Sequence, residues 1–323
     1  MATQTIQRKD PSPVVRQPNR SSKLKQLGHS KALIIMCLPA IAFFVIFSYC
    51  PLPGTWIAFT NYNFRDGIFG SPFVGLRNFE FLVKSGQLWL LTRNTLLYNL
   101  AFIVIGNILQ IALAVMLNEI RAKYFKKISQ AIMFLPYFIS VVLIGVIAFN
   151  VLNYDTGALN TLIKETGGDP IKIYSMAGIW PIIIIICQLW QSTGYGSIVY
   201  FAAIMGIDDS MFEAAAIDGA TAWQRIRYII LPSLKPTFII LLLFAMGGIM
   251  RGNFGLFWNL VGNNATLFNT TDIIETSVYR MIMSQNNFTS STAVGLYQSL
   301  FGFALVMTCN WIVRRINSDY ALF

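Results

Sequence analysis

Residues 206–236 read GIDDSMFEAAAIDGATAWQRIRYIILPSLKP, and this polar stretch lies between two long apolar segments. Gly219 lies where a helix C-terminus favours a residue that tolerates positive φ. Pro232 would end or kink a following helix because it lacks an N–H donor. Ser233 and Pro236 suit the start of the next helix. The stretch therefore predicts a helix, a tight turn and a second helix, held between two membrane-length segments.

Two capping boxes start the predicted helices. Ser210 with Glu213, and Thr221 with Gln224, each have the S/T-x-x-E/Q spacing. In this motif the N-cap side chain and the N3 side chain reciprocally bond backbone N–H groups that the helix itself leaves unpaired. Glu213 could on this basis serve only as a capping residue, which is compatible with a second role in docking a partner.

The composition is that of a polytopic integral membrane protein. Hydrophobic residues make up 55% of the 323 residues and charged residues only 12%, with a mean hydropathy of +0.58. A soluble domain carries about 25% charged residues. An all-α fold follows, because apolar segments that cross lipid singly must satisfy their backbone polar groups internally.

Six segments are long and apolar enough to meet the requirement of about 20 residues for crossing the hydrocarbon. They are residues 32–59, 95–117, 131–152, 179–206, 237–260 and 293–313. Pro39, Pro51 and Pro53 interrupt the first segment, so we expect its helix to stop near Cys50. The six segments and their connections form one domain, residues 31–323.

Residues 1–30 form a basic tail without an apolar run, and their composition predicts disorder. The tail is too long and polar for a signal peptide, so we expect an uncleaved anchor. With the N-terminus inside, sixteen of the 24 Lys and Arg residues fall in inside segments and seven in outside segments. This asymmetry predicts cytoplasmic termini and a cytoplasmic 206–236 stretch.

The 206–236 stretch resembles the EAA loop of permease subunits in binding-protein-dependent ABC importers. The residues that carry the pattern are Glu213, Ala214, Ala215, Asp218, Gly219, Ala220, Leu231 and Pro232. Residues 73–79 and 94–96 resemble elements found before and at the second span of sugar-importer permeases. The resemblance is closest to permease subunits of polysaccharide importers, those of alginate importers included.

The resemblance implies a MetI-like type I importer permease fold in a bacterial inner membrane. It also implies that the loop is a coupling helix, which docks into a cleft of an ATP-hydrolysing subunit. The partners it implies are a second, related permease, two ATPase subunits, a periplasmic binding protein and a saccharide substrate, all within a lipid bilayer. Residues 61–92, 154–177 and 261–292 are the expected outer connections, and most of their residues need only join helices.

Motifs for catalysis are absent from the sequence. The chain has no Gly-Lys dipeptide and therefore no Walker A loop, so ATP and Mg²⁺ are expected on a partner subunit and no cofactor on this chain. Its single histidine, His29, rules out a Ser/His/Asp or Cys/His set. The four cysteines lack metal-ligand spacing and are expected to be packing residues, so we predict no catalytic or metal site.

Uncharged polar and aromatic residues in the fourth and fifth apolar segments are candidates for a substrate path. The residues that we predict there are Gln188, Gln191, Ser192, Tyr195, Arg251, Asn253 and Phe254. Amides suit sugar hydroxyls and aromatic rings suit sugar C–H faces. Such residues also pack helices together, which is an equally good explanation for any one of them.

Arg251 is the sharpest of these candidates, because a cation in the middle of a span needs a partner or a wet cavity. An ion pair, or bonds to carbonyls freed around neighbouring glycines, would explain it structurally. The functional interpretation is that its planar guanidinium binds the carboxylate of an acidic sugar.

Two other classes of protein fit the sequence less well than an importer. A secondary transporter or channel predicts ionisable pairs within the spans, and the acids lie almost entirely outside them. A membrane-tethered DNA-binding protein would use residues 210–231 as a helix–turn–helix. That stretch and its approach carry Arg225 and Arg227 against four acids, which disfavours phosphate contacts and predicts no nucleic-acid partner.

Overall fold

The computed structural model of the chain describes residues 31–316, with side chains from Ile35 to Arg315. The prediction of a disordered tail over residues 1–30 lies outside the described residues. Within the described part the fold is helical, and an isolated β-bridge between Thr60 and Phe73 is its one extended pairing. The all-α prediction is confirmed.

The described chain divides after Gly54 into two compact units. The first contains α1 (Lys31–Phe44), with Pro39 inside it, and a π-helical turn, Val45–Tyr49. The N–H of Cys50 donates to the carbonyl of Val45 at 3.0 Å and closes this turn. The helix therefore stops next to Cys50, as predicted.

The second unit holds fourteen helices between Thr55 and Ile316. In its first half these are α2 (Gly67–Gly70), α3 (Arg77–Lys84), α4 (Gln87–Glu119), α5 (Lys123–Phe134), α6 (Val141–Leu152), α7 (Ala158–Glu165) and α8 (Trp180–Met205). In its second half they are α9 (Asp209–Ile217), α10 (Ala222–Arg225), α11 (Leu231–Gly247), α12 (Phe254–Val261), α13 (Phe268–Thr271), α14 (Ile274–Met283) and α15 (Phe288–Ile316).

Length and composition give six potential membrane crossings in the described chain. Five are long apolar helical segments: Ile35–Phe59, Gln87–Glu119, Trp180–Met205, Ala222–Gly247 and Phe288–Arg315. The sixth is a pair of helices, Lys123–Phe138 and Val141–Leu152, bent by 89°. Four of the predicted segments match these positions closely, and two need correction.

The third predicted segment, residues 131–152, is not one straight helix. It bends between a 3₁₀ turn, Leu135–Phe138, and the start of α6. Pro136 lies in that turn and cannot donate a backbone hydrogen bond. The hydroxyl of Ser140 then caps α6 by accepting from the N–H of Leu143 at 3.3 Å. A proline followed by a good N-cap explains the break.

The fifth predicted segment, residues 237–260, is displaced in the sequence. The helix runs over Ala222–Gly247 and breaks at residues 248–253. Pro232 does not end it, because a π-helical turn, Ile226–Ile230, precedes the proline and changes the backbone pairing there. Ser233 and Pro236 lie inside α11 and start no new helix. Gly248, at the C-cap, marks the true end.

Glycines allow α8 to pack closely against its neighbours. A Cβ built on Gly194 would lie 1.8 Å from the carbonyl oxygen of Met133 in α5. A Cβ built on Gly196 would lie 2.4 Å from the side chain of Gln110 in α4. Helices in membranes associate largely through such close packing of small residues. The two glycines therefore hold α4, α5 and α8 together as a group.

Two connections between the long helices are held by asparagines. Gly75 has φ +61°, and Asn78 donates from its amide to the carbonyls of Ala58 (2.8 Å) and Thr60 (3.1 Å). The positive φ and these two bonds account for the glycine and the asparagine in residues 73–79. Asn160 is fully buried within the 154–177 connection. It is a brace for that loop and not an accessible position.

Side-chain hydrogen bonds also account for the polar residues at 94–96. Asn94 donates to the carbonyls of Asn269 at 3.2 Å and Asp272 at 3.0 Å. The hydroxyl of Thr95 accepts from the N–H of Ile274 at 3.1 Å. These bonds fix the start of α4 to the segment that leads into α14.

The predicted orientation can be tested with two exposed acids, Asp169 in an outer connection and Asp218 in the 206–236 stretch. We expect a cysteine at Asp169 to react with an impermeant maleimide in intact spheroplasts. A cysteine at Asp218 should react only after permeabilisation. Both are placed in a chain whose four native cysteines are replaced, which serves as the unlabelled control. Labelling of the Asp218 variant in intact spheroplasts would contradict the orientation.

Candidate functional site

The helix α9 begins two residues earlier than the sequence suggested. Asp208 is its N-cap, and its carboxylate accepts from the N–H of Ser210 at 3.0 Å. Hydrogen bonds from Ser210 hold the pKa of the Asp208 carboxyl below its usual range. The predicted box of Ser210 with Glu213 is therefore wrong, because an aspartate two residues upstream caps the helix more effectively.

This correction removes the capping explanation for Glu213. Its side chain is exposed in the middle of α9, and its carboxylate has no hydrogen bond or ion pair to any residue in the range 31–316. An exposed carboxylate without an intramolecular role is available to a partner.

The turn after α9 forms as predicted. Gly219 has φ +70°, and no atom within 4 Å would obstruct a Cβ there. Its N–H donates to the carbonyl of Ala216 at 3.1 Å, and the N–H of Ala220 donates to that of Ala215 at 2.9 Å. These two bonds form the Schellman motif that ends a helix. Backbone conformation, rather than space, accounts for the glycine.

The second capping box is confirmed. The hydroxyl of Thr221 accepts from the N–H of Gln224 at 3.3 Å, and the Gln224 side chain accepts from the N–H of Thr221 at 2.7 Å. Helix α10 then continues through the π-helical turn into α11, so the loop and the long apolar helix share one backbone.

The stretch presents an apolar surface to solvent. Ile217 is 87% exposed, Tyr228 68% and Trp223 65%, on a segment that is otherwise polar. A cavity of about 350 Å³ lies beside the turn. It is lined by Ala215, Asp218, Gly219, Ala220, Gln224, Arg225, Tyr228 and Ile229. Exposed apolar patches rimmed by polar residues are typical of protein–protein contact sites.

The loop is attached firmly to the helices behind it. Arg225 lies 3.5 Å from Glu119, the last residue of α4. Ile230 and Leu234 are buried in a cluster with Ala114 of α4. Leu231 and Pro232 remain exposed at the start of α11. The stretch thus contacts α4 and continues into α11.

A second candidate site lies at the break after α11. Arg251, predicted inside a helix, lies instead in this non-helical segment, because the helix ends at Gly247. Its guanidinium is exposed and has no hydrogen bond or ion pair to any residue that the structure describes. The ion pair and carbonyl bonds that would explain it structurally are therefore not present in the described chain.

Arg251 borders a cavity of about 490 Å³ between the break and α15. Gly247, Met250, Gly295, Gln298, Ser299, Gly302, Phe303 and Val306 complete its lining. Three glycines leave the space open, and one guanidinium, one amide and one hydroxyl give it polar walls. Gln298 and Ser299 were not predicted, although their position in the last apolar segment is a signal that could have indicated them.

Two predicted residues meet at the break. The amide of Asn253 donates to the side-chain oxygen of Gln188 in α8 at 2.9 Å. The oxygen of Asn253 accepts from the N–H of Leu256 at 3.1 Å and caps α12. Fifth-segment and fourth-segment candidates are thus neighbours, as a common path requires.

Two others have structural partners. Gln191 donates to the carbonyl of Ile139 at 2.8 Å and braces the bend before α6. Ser192 donates to the carbonyl of Gln188 at 2.8 Å, within its own helix. Their role in substrate contact stays a prediction.

The aromatic candidates belong to two stacks. Tyr195 lies flat on Tyr137, with ring centroids 4.3 Å apart, and both rings are roughly half exposed. Phe254 stacks on Trp258 and packs against Tyr279 at 4.9 Å. Sequence reasoning missed Tyr137 and Tyr279, since neither lies in the fourth or the fifth apolar segment. The Pro136-Tyr137 pair inside an apolar segment was the available signal.

The candidate residues at the break and along α8 offer amide and hydroxyl donors, flat aromatic faces and one cation. This set suits a polyhydroxylated molecule that carries negative charge. Within residues 31–316, no group of three or more His, Cys, Asp or Glu residues could hold a metal ion. The arrangement can bind and pass a solute, and it offers no nucleophile paired with a base.

The described chain combines six potential crossings, a capped loop with an exposed apolar face and a polar break in a long helix. The chain belongs to the family of binding-protein-dependent transport system inner membrane components, which matches residues 103–318. It is a multi-pass inner-membrane permease subunit of an ABC importer, and ATP hydrolysis belongs to a separate subunit.

Similar proteins cover nearly the whole chain. Protein LplB of Bacillus subtilis strain 168 is 31% identical over 98% of this chain and 99% of its own length. The polygalacturonan/rhamnogalacturonan transport system permease protein YteP of the same organism is 33% identical over 95% of both. A chain in the crystal structure of a bacterial ABC transporter involved in the import of the acidic polysaccharide alginate matches with a TM-score of 0.82. That chain is 31% identical, and the match covers 92% of this chain and 99% of that one.

Substitution of Gly219 tests the turn in the 206–236 stretch. Gly219→Val should sharply reduce transport, because positive φ costs a β-branched residue about 1–3 kcal/mol. Gly219→Asn should be close to wild type, since asparagine tolerates this conformation. Transport and substrate-stimulated ATPase activity of the assembled importer are the measurements. Equal activity of the valine and asparagine variants would contradict a requirement for positive φ.

Proposed function

We propose that this chain is one of two related permease subunits in an ATP-driven importer. The importer receives an oligo- or polysaccharide from a periplasmic binding protein and moves it into the cytoplasm. We further propose that the saccharide is acidic and alginate-like. The observation that carries this is the exposed, unpaired guanidinium of Arg251 beside a polar cavity.

The similar proteins support a saccharide. YteP is described as a polygalacturonan/rhamnogalacturonan permease, and the similar crystal structure as part of an importer of an acidic polysaccharide. A second crystal structure of the alginate ABC transporter, 32% identical, was determined in complex with an alginate pentasaccharide-bound periplasmic protein. A binding-protein partner and a polyuronate substrate agree with a lone arginine in the path.

The sugars of the substrate would pass from one aromatic side chain to the next along the proposed path. Tyr195 and Phe254 would cover the C–H faces of successive sugars, and Gln188, Asn253 and Gln298 would bond their hydroxyls. Arg251 would meet a carboxylate, with which a guanidinium forms two parallel charge-assisted bonds. Gln191 and Ser192 would line the same helix face, in addition to their bracing bonds.

The coupling loop would dock on one of two ATPase subunits. Glu213, Ala214, Ala215, Asp218, Gly219, Ala220, Leu231 and Pro232 are the residues proposed for this role. The exposed Ile217 and Trp223 would supply apolar contact area. Closure of the ATPase dimer around ATP and Mg²⁺ would push the loop, and α11 would carry the displacement to the break. Both termini and the tail of residues 1–30 would lie in the cytoplasm.

The acidic-substrate proposal predicts that Arg251→Gln weakens the response to uronate oligomers. Loss of one bidentate, charge-assisted contact should raise the half-saturating concentration about 10–100-fold. Arg251→Lys should recover only part of the wild-type response to uronate oligomers, because an ammonium lacks the planar set of donors that a guanidinium has. The measurements are uptake and binding-protein-stimulated ATPase activity, with melting of the complex as a fold control. Arg65→Gln, an exposed arginine away from the cavity, is the matched control. Normal uptake by Arg251→Gln would overturn the role.

The docking proposal predicts that Glu213→Ala separates transport from permease folding. The variant should lose ATPase association or substrate-stimulated hydrolysis, because its carboxylate has no partner within the described chain to destabilise. The melting temperature of the detergent-purified permease subunits should not change. Co-purification with a tagged ATPase subunit and transport are the measurements. Glu165→Ala, an exposed acid in an outer connection, is the matched control. Full transport with normal ATPase association would contradict docking through Glu213.

A further inference from the structure

Glu275 is a half-buried acid that the path described above does not use. It is the second residue of α14, and its side chain turns toward the break that carries Arg251. One carboxylate oxygen accepts two hydrogen bonds, from the N–H of Gly252 at 2.8 Å and from the amide of Gln298 at 2.7 Å. The acid therefore joins three separate segments, namely the break, α14 and α15.

Gly252 is required for this contact. A Cβ at that position would lie 2.7 Å from the second carboxylate oxygen of Glu275 and 2.5 Å from the side chain of Ile273. That second oxygen is buried and has no hydrogen-bond partner among the described residues. The carboxylate approaches the backbone closely only because the residue after Arg251 has no side chain.

The same network holds the backbone on the other side of Arg251. Gln298 donates to the carbonyl of Met250 at 2.5 Å as well as to Glu275. The residues before and after Arg251 are thus fixed by side chains of α14 and α15. Arg251 itself keeps one backbone bond, to the carbonyl of Gly248 at 2.7 Å.

Glu275 and Arg251 do not form an ion pair. No nitrogen of Arg251 lies within 4.0 Å of a Glu275 oxygen. One Glu275 oxygen already accepts two hydrogen bonds, from Gly252 and from Gln298. The guanidinium consequently keeps its donors for another anion, while its backbone is held in place.

We propose that Glu275 is a positioning residue for Arg251. By fixing the backbone at residues 250 and 252 through Gly252 and Gln298, it sets where the guanidinium meets a substrate carboxylate. The importer would thereby prefer an acidic saccharide to a neutral one of the same length. This inference rests on the proposed substrate role of Arg251.

The test uses the complete importer in nanodiscs with its binding protein. Half-saturating concentrations for stimulated ATPase activity are measured with a uronate tetramer and with the same tetramer after carboxyl reduction. Glu275→Gln keeps an oxygen that can accept from Gly252 and Gln298 but removes the negative charge. Glu275→Asp keeps the charge, but its shorter side chain cannot extend to those two donors. Glu275→Ala removes both, and Arg251→Gln is combined with each of the three.

We expect Glu275→Ala and Glu275→Asp to raise the half-saturating uronate concentration about tenfold, the effect of one lost charged hydrogen bond. Glu275→Gln should stay within about threefold of wild type, since it preserves the acceptor. The response to the reduced tetramer should not change. In the Arg251→Gln background none of the three substitutions should add a further effect, because a positioning residue acts through the residue it positions.

Three results would overturn the inference. A wild-type half-saturating concentration for Glu275→Asp, together with a raised one for Glu275→Gln, would show that the charge matters and the hydrogen bonds to Gly252 and Gln298 do not. Equal loss for both tetramers, with a lower melting temperature, would make Glu275 a purely structural residue. Additive effects of Glu275→Ala and Arg251→Gln would remove the link between them while leaving the role of Arg251 intact. If Arg251→Gln alone had no effect, the proposed function of Arg251 would fail first.

Discussion

Backbone polar groups at helix breaks need partners in an apolar environment, and the described structure depends on how they are supplied. An unpaired N–H or C=O in hydrocarbon costs several kcal/mol. At the bend before α6, Gln191 bonds the carbonyl of Ile139. At the break after α11, Gln298 bonds the carbonyl of Met250 and Glu275 accepts from Gly252. Side chains from neighbouring helices thus make both interruptions possible, and both interruptions carry candidate substrate contacts.

The 206–236 stretch and the polar break are joined by one helical segment. Ala222–Gly247 contains 26 residues and spans about 39 Å at 1.5 Å per residue. Its first turn belongs to the loop, and its last residue precedes the break that holds Arg251. A π-helical turn before Pro232 keeps the segment continuous where a proline would otherwise interrupt it. The stretch and the break at Arg251 are therefore connected by continuous helix, without an intervening loop.

Sequence reasoning succeeded where structure depends on near neighbours or on length. Apolar length located four of the six potential crossings closely, and turn and capping preferences located the turn at Gly219. It failed at Asp208, because two residues near the start of α9 could each serve as a cap and the sequence does not rank them. It failed again at Gly248, since the apolar pattern continues past the end of α11 into α12. Hydropathy measures transfer to lipid and does not report where the backbone stops being helical.

The sequence by itself determined the turn at Gly219 and the capping box of Thr221 with Gln224. These rely on φ preferences and on bonds between residues three positions apart, so the local chain contains all the required atoms. Only the tertiary structure decided that Glu275 meets Gly252, 23 positions away, and that Gln298 meets Met250, 48 positions away. It also decided that Tyr137 stacks on Tyr195. Such contacts arise only when helices pack, because the packing brings together groups that no local spacing relates.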